Sequence, residues 1–473
     1  MGSTAAPVAG PPCRPESEPM TTDAPAGQRS RLKKGITPAL LFLFILGDVL
    51  GAGVYALVGV LAEEAGGMMW VPLLLAMVMA LLTASSYAEL VTKYPKAGGA
   101  AVFARRAFGR PLISFLVGFS MLAAGVTSAA GLAIAFSGDY LATFVDIPTA
   151  LAAPVFLALL ALLNARGIKE SVRSNVVMTV IEVSGLVLVI VLGAVAVGAG
   201  QGDAGRLTEL PDGVGLGAAA LGGALIAFYS FVGFEVSANV AEEVHDVNRV
   251  YPRALFGALA VAGAVYVLIA VVAALVIDPQ DLAGSTSPLL DVVGATGIGL
   301  PDWAFSAIAL VAVANGALLT MIMSSRMAYG MADEGLLPHP LTKVLPNRRT
   351  PWLAIVLTTL LAVALTLVGD LAMLAETVVL LLLFVFLSTN VAVLVLRKDR
   401  VEHAHYRTPV VLPVLAVVSC VVLLAQQSLE VWAYGLGMLL LGVVLHLFTR
   451  RTSHARVMRA EHAEERAAAL RSR

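Results

Sequence analysis

Apolar residues in this chain neither alternate with polar ones nor form narrow stripes. They run in blocks of about twenty, separated by short polar or charged segments. A block of that length, apolar on every side, predicts a helix that crosses hydrocarbon. The length criterion gives about twelve such spans, at 37–62, 70–92, 111–144, 150–166, 172–198, 214–244, 252–277, 301–331, 351–369, 371–396, 409–427 and 430–449. Those at 111–144, 214–244 and 301–331 are longer than a bilayer requires, so they tilt or are interrupted. The pattern predicts an all-α polytopic membrane protein.

Two blocks carry polar and flexible residues in their middles. The first reads PALLFLFILGDVLGAGVYALVGVL from Pro38 to Leu61, with Gly47, Gly51 and Gly53 clustered beside the carboxylate Asp48. Glycine is weakly committed to helical dihedrals, and broken backbone is tolerated in hydrocarbon only against protein or a wet cavity. The sixth block reads LGGALIAFYSFVGFEVSANVAEEV from Leu221 to Val244, where Gly233 lies among bulky aromatics and Glu235 follows at mid-depth. A carboxylate there costs about 2.5–3.5 kcal/mol on insertion scales, so it faces a cavity or a partner. A lone Gly233 would be read as a close-packing residue. With two aromatics and an acid it reads as a second break. Interruptions in the first and sixth spans are the spacing of an inverted repeat of five helices each. Each break exposes amides at one half-helix N-terminus and carbonyls at the other half-helix C-terminus. A carboxylate suits the first and an ammonium the second, so a zwitterion can bind without a dedicated charged side chain.

Composition agrees with the pattern. Of 473 residues, 59% are hydrophobic and 13% charged, and mean hydropathy is +0.88. A net charge of −1 argues against a nucleic-acid partner. The two cysteines, Cys13 and Cys420, give neither a disulfide framework nor metal spacing. Residues 1–34 are rich in Pro, Ala, Ser and Gly and read as a disordered tail, followed by a transmembrane domain over 35–450 and a basic tail over 451–473. Positive residues gather in the tails and alternate loops, among them Arg105, Arg106, Arg166, Arg253, Lys343, Arg397 and Lys398. Acids such as Glu63, Glu64, Asp203, Asp278 and Asp370 fill the opposite loops, where Arg206 is the one base. By the positive-inside rule both termini are cytoplasmic and the number of spans is even.

Four ordered segments carry a resemblance. LGAGVYALVGVLAEEAGG (50–67), SYAELVTKYPKAGGAAVFARRAFG (86–109), FYSFVGFEVSANVAEEVHDVNRVYPRAL (228–255) and SSRMAYGMADEGLLPHPLTKVLPNRRTPWLAIVL (324–357) resemble amino acid permeases. The family is the amino acid–polyamine–organocation superfamily, and the wording is nearest its cationic amino acid transporter branch. The resemblance implies a LeuT-like fold with a five-plus-five inverted repeat, broken helices 1 and 6, and alternating access. The first repeat would occupy 35–200, the second 212–397, and two extra helices 408–450. Carried onto this chain, the substrate carboxylate would meet amides at Gly51, Ala52 and Gly53, and its ammonium carbonyls near Val49, Tyr229 and Val232. Tyr229, Phe231 and Gly233 complete the implied substrate site, and Glu235 matches a gating or coupling acid.

In one place the chain departs from its relatives. Where proton-coupled members carry a lysine in a phrase like TLIKV, this chain reads TVIEV, with Glu182 at the lysine position. The fold would bring that position toward Asp48. Asp48, Glu182 and Glu235 are therefore the coupling or gating candidates, with a proton or sodium as coupling ion and no other cofactor or metal. Two close carboxyls in low dielectric do not both ionise cheaply, which suits a proton carrier; carboxylate and carbonyl oxygens also suit sodium, and a structural hydrogen bond is a third reading. His403, His405 and Tyr406 in a basic loop lack the further ligands a metal needs.

Function classes separate on the same features. A channel needs a continuous polar lining, an enzyme a convergent catalytic group, and an ATP-driven pump a GxxxxGK[ST] loop; the spans contain none of these. The expected function is secondary transport of amino acids, cationic ones included, across a bacterial plasma membrane, by proton coupling or exchange. A sodium-coupled amino acid or polyamine transporter and a transporter-derived sensor are the alternatives.

Overall fold

Every predicted span is occupied by helix in the computed structural model of the protein. It describes Gly2 and residues 36–447, except Ala52, residues 96–98, Gly167, Thr286, residues 334–335, Asn347 and Arg349. The tails expected at 1–34 and 451–473 (Gly2 apart) and the substrate candidate Ala52 lie outside the described residues. The helices are α1 Pro38–Leu50, α2 Gly53–Ala65, α3 Trp70–Lys93, α4 Gly99–Phe108, α5 Pro111–Phe136, α6 Asp139–Ala142, α7 Thr149–Arg166 and α8 Ile168–Gly198. They continue with α9 Leu216–Ser230, α10 Val247–Val276, α11 Pro279–Leu282, α12 Pro288–Ala295, α13 Asp302–Asp333, α14 Trp352–Thr366, α15 Leu371–Val395, α16 Val411–Gln426 and α17 Leu429–Leu447. Among the described residues, 10 helical stretches are long and apolar enough to cross a membrane, and α14 and α16 are shorter apolar helices.

Local chemistry sets the helix starts. Thr37 caps α1, its hydroxyl accepting from the Leu40 amide at 3.3 Å, and Pro38 follows where a missing N–H costs nothing. Asp370 caps α15 by accepting from Met373 at 2.8 Å. Of the three over-long spans, 111–144 divides at Ser137–Gly138 into α5 and α6, and 214–244 divides at Phe231–Gly233. The third, α13, runs unbroken for 32 residues. The short helices α4 and α12 have no counterpart in the hydrophobic pattern, since neither holds an apolar block of spanning length.

Outward faces confirm the solvent. On α7, Leu151, Leu159 and Leu162 are 63%, 60% and 65% exposed, and Val411, Val418 and Val421 form a similar row on α16. Rows of exposed aliphatics at helical spacing on several helices suit lipid and not water. The protein is a multi-pass membrane protein. Inside, α5 packs against α13 and α15, while α10 packs against α1 and α3. Close packing uses small residues: a Cβ on Gly47 would lie 2.1 Å from the Thr179 hydroxyl, so α1 reaches α8 only because position 47 is bare.

The connection from α15 to α16 folds back on the end of α3. The Glu89 carboxylate, 2% exposed, accepts from the Thr408 amide at 2.8 Å and faces Arg397 at 3.5 Å. The Thr408 hydroxyl donates to Ser85 O at 2.7 Å, Lys93 Nζ to Leu396 O at 2.6 Å, and the Tyr406 amide to the Thr92 hydroxyl at 3.1 Å. Residues 85, 89, 92 and 93 lie on adjoining faces of one helix, so a single stretch of backbone is fastened along about two turns. Replacing Glu89 by Leu leaves the Thr408 amide without its acceptor and Arg397 without its carboxylate, with only Thr408 O still accepting from the guanidinium. It should lower unfolding stability by about 3 kcal/mol, read as a drop in melting temperature of the purified protein. Adding Arg397→Leu should restore part of that loss.

Candidate functional site

The two broken spans run side by side in opposite directions. At the outer ends Ile36 and Val244 form an isolated, locally parallel bridge, with the His245 amide donating to Ile36 O at 3.3 Å, and the opposite direction shows in the contacts that follow it. Further along, Asp48 abuts Gly233, Gly53 abuts Ser230, and Glu64 lies beside Gly222. Residue number rises on one strand of contacts as it falls on the other, so the breaks lie level. The half-helix α1 sits against the 3₁₀ helix Phe234–Glu243, and α2 sits against α9.

Each break has a local cause. Between α1 and α2, Gly51 has φ −29° and ψ −169°, outside helical dihedrals. At the second break Gly233 has φ +123°, which side-chain-bearing residues rarely adopt. It is also pressed onto the first break, since a Cβ there would lie 2.8 Å from Asp48 O. Conformation and space both demand glycine.

A cavity of about 60 Å³ opens where the breaks meet. The first break contributes Asp48, Val49, Gly51 and Gly53, and the second Tyr229, Ser230, Val232, Gly233, Glu235 and Val236. Ser128 and Gly125 close it from α5, Thr320 and Met323 from α13, and Val378 and Leu382 from α15. No Lys, Arg or His is among the described lining residues. Two predicted candidates fall elsewhere. Phe231 is fully buried against Tyr266, with ring centroids 5.3 Å apart. Glu182 is fully buried outside the lining, and neither of its carboxylate oxygens has a hydrogen-bond partner. Asn315 lies beside it, and its own amide oxygen and nitrogen are unpartnered too. Asp48 is near enough to both Glu182 and Glu235 for their charges to interact.

Much of the exposed backbone at the breaks is already engaged. The Tyr266 hydroxyl, from α10, lies 2.5 Å from Val49 O and 3.1 Å from Ser230 O, so one group joins the C-terminal carbonyls of α1 and α9. The Gly233 amide donates to Glu235 Oε2 at 2.9 Å. The Tyr229 and Ser128 hydroxyls share a hydrogen bond of 3.0 Å. The Val49 carbonyl expected to meet an ammonium is therefore held by a tyrosine. What remains is the N-terminus of α2, whose first amides have no intrahelical acceptor. That end attracts an anionic group, and the two carboxylates on the rim attract a cationic one. Tyr266 and Ser128 were not found from sequence, because Tyr266 lies in an unbroken apolar span and Ser128 in a run of small residues. Among the described residues, no three or more His, Cys, Asp or Glu are grouped to hold a metal ion.

Comparisons with known proteins agree on one kind of relative. A family model described as amino acid permease matches residues 37–433. Branched-chain amino acid permease BcaP of Bacillus subtilis (strain 168) is 27% identical over 461 residues, covering 91% of this chain and 96% of its own. The vacuolar cationic amino acid transporter 4 of Arabidopsis thaliana is 30% identical over 389 residues, 78% of this chain and 64% of the relative. A methylthioribose transporter of Bacillus subtilis (strain 168) is 26% identical over 422 residues, 85% and 89% of the two chains.

Gly233→Ala tests the contact between the breaks. A methyl group at φ +123° against Asp48 O should destabilise the protein by about 1–3 kcal/mol. A melting temperature equal to that of the unaltered protein would show that the breaks do not touch.

Proposed function

The chain belongs to the amino acid permease family, and from that membership we propose a secondary active transporter that carries amino acids across the plasma membrane by alternating access. The observation that carries the reading is the pair of level, antiparallel helix breaks opening onto one cavity. The first amides of α2, which have no acceptor within that helix, suit the carboxylate of an amino acid, and rim oxygens suit its ammonium. Relatives named for branched-chain and for cationic amino acids support the substrate class. Antiparallel contacts between the first and sixth spans are what a LeuT-like, five-plus-five inverted repeat with about twelve crossings requires. In that topology Lys and Arg loops lie in the cytoplasm with both termini.

Reconstituted in liposomes, the full chain should accumulate or exchange at least one of a radiolabelled panel of the common amino acids above protein-free vesicles. No uptake across the panel overturns the transport reading.

Coupling falls to the buried polar group behind the first break. Glu182 has no basic partner among the described residues, and a bare carboxylate in that setting is costly unless it holds a proton or a cation. Filled and emptied from opposite sides, it would link an ion gradient to the adjacent break. Uptake should respond to an imposed proton or sodium gradient, and Glu182→Gln should abolish that response. A mutant with the same gradient dependence as the parent removes Glu182 from coupling and assigns it to another group, and a parent indifferent to both gradients leaves exchange as the mode of transport.

A further inference from the structure

Tyr87, near the end of α3, is fully buried in a cage of three phenylalanine rings. Phe103, Phe234 and Phe386 stand edge-on to it, with centroids at 6.3, 5.6 and 6.1 Å. Its hydroxyl has no hydrogen-bond partner among the described residues. Such a group is costly, because it has given up water and gained nothing in exchange. Thr389 lies close by but donates its own proton to Val385 O at 2.9 Å. Glu235 is near enough to Tyr87 for their charges to interact, and Phe234, the residue before it, is one wall of the cage. Glu235 is 2% exposed and lines the cavity, and its Oε2 accepts from the Gly233 amide at 2.9 Å. A second hydroxyl within the same reach, that of Tyr251, is already bonded to Ser237 at 2.8 Å.

Resting on the transport reading, we infer that Tyr87 positions Glu235 by offering it a second hydrogen bond. Glu235 holds the Gly233 amide in this structure, and it passes to the Tyr87 hydroxyl when the carboxylate of a substrate takes that amide. Gly233 lines the same cavity as Gly53, where α2 begins. A carboxylate drawn to the start of α2 therefore arrives beside a backbone donor that Glu235 already occupies. One N–H serves one acceptor well, and two carboxylates in low dielectric repel. Movement of Glu235 to Tyr87 relieves both conflicts. The hydroxyl donates, the carboxyl group accepts, and no proton changes hands. Glu235 keeps a hydrogen bond throughout, and the unpaired hydroxyl gains one. Tyr87 is not among the lining residues, so it strengthens substrate binding without touching the substrate.

Tyr87→Phe removes the hydroxyl and keeps the ring in its cage. Without amino acid, the melting temperature of the purified full chain should equal or exceed the parent's, since an unpartnered buried hydroxyl adds no stability. Affinity is read from ligand-induced melting shifts, using whichever of the common amino acids the parent binds most tightly. It should fall about tenfold, the worth of one hydrogen bond to a carboxylate. The loss should persist in a Glu235→Gln background, where a side-chain carbonyl still accepts. It should vanish in a Glu235→Ala background, where nothing moves to Tyr87; if that variant does not fold, the two Tyr87→Phe measurements decide alone. Tyr251→Phe should do the opposite, lowering the melting temperature through the lost Ser237 bond and leaving affinity unchanged. A Tyr87→Phe protein less stable than the parent makes Tyr87 a structural residue and overturns the inference. An unchanged affinity, a loss that Glu235→Ala does not remove, or an equal loss in Tyr251→Phe also overturns it. All of these leave amino acid transport standing, whereas a parent that binds and transports none of the panel overturns the transport reading itself.

Discussion

Hydrocarbon offers backbone no hydrogen bonds, and the rest of this molecule is arranged around that constraint. Two helices are broken at the same depth, and each leaves amides and carbonyls that water would have to solvate. Here they are answered by side chains brought from elsewhere. One tyrosine hydroxyl on α10 reaches the ends of both α1 and α9, and Glu235 turns back to its own break to accept the Gly233 amide. The breaks support each other: Gly233 is seated on Asp48, and Gly53 on Ser230.

That mutual arrangement decides what is left for a ligand. Beside the carbonyls that Tyr266 engages, the opening between the half-helices is lined by two acids, Asp48 and Glu235, and by Gly53 at the start of α2. The second polar group, Glu182 with Asn315, lies behind the first break and outside the cavity, yet it is within electrostatic reach of Asp48. Asp48 therefore belongs to both regions. It lines the cavity on one side and lies within electrostatic reach of the buried acid on the other.

The sequence already contained much of this. Apolar blocks located the helices, because a spanning helix must be apolar over about twenty residues whatever its neighbours are. Gly51, Gly53 and Gly233 marked the breaks, because few other residues can occupy those dihedrals or that space. Asp48 and Glu235 drew attention as acids at membrane depth. Tyr266 and Ser128 left no such mark: a tyrosine in an apolar span and a serine among alanines are ordinary until their hydroxyls have partners. Phe231 looked like a ligand contact by sequence position alone, but the turn at the second break points it away from the cavity toward Tyr266.

By itself the sequence determined the solvent, the place and order of the apolar helices, and the positions at which two of them fail, since each depends on a short local stretch and its transfer free energy. Tertiary structure alone decided which exposed groups were already paired and which remained open. The Val49 carbonyl and the Asp48 carboxylate are neighbours in the chain, yet the first is held by a residue more than two hundred positions away and one oxygen of the second by nothing. Hydrogen bonds and charges act over a few ångströms in space, and in a helical bundle that distance is set by packing between distant segments.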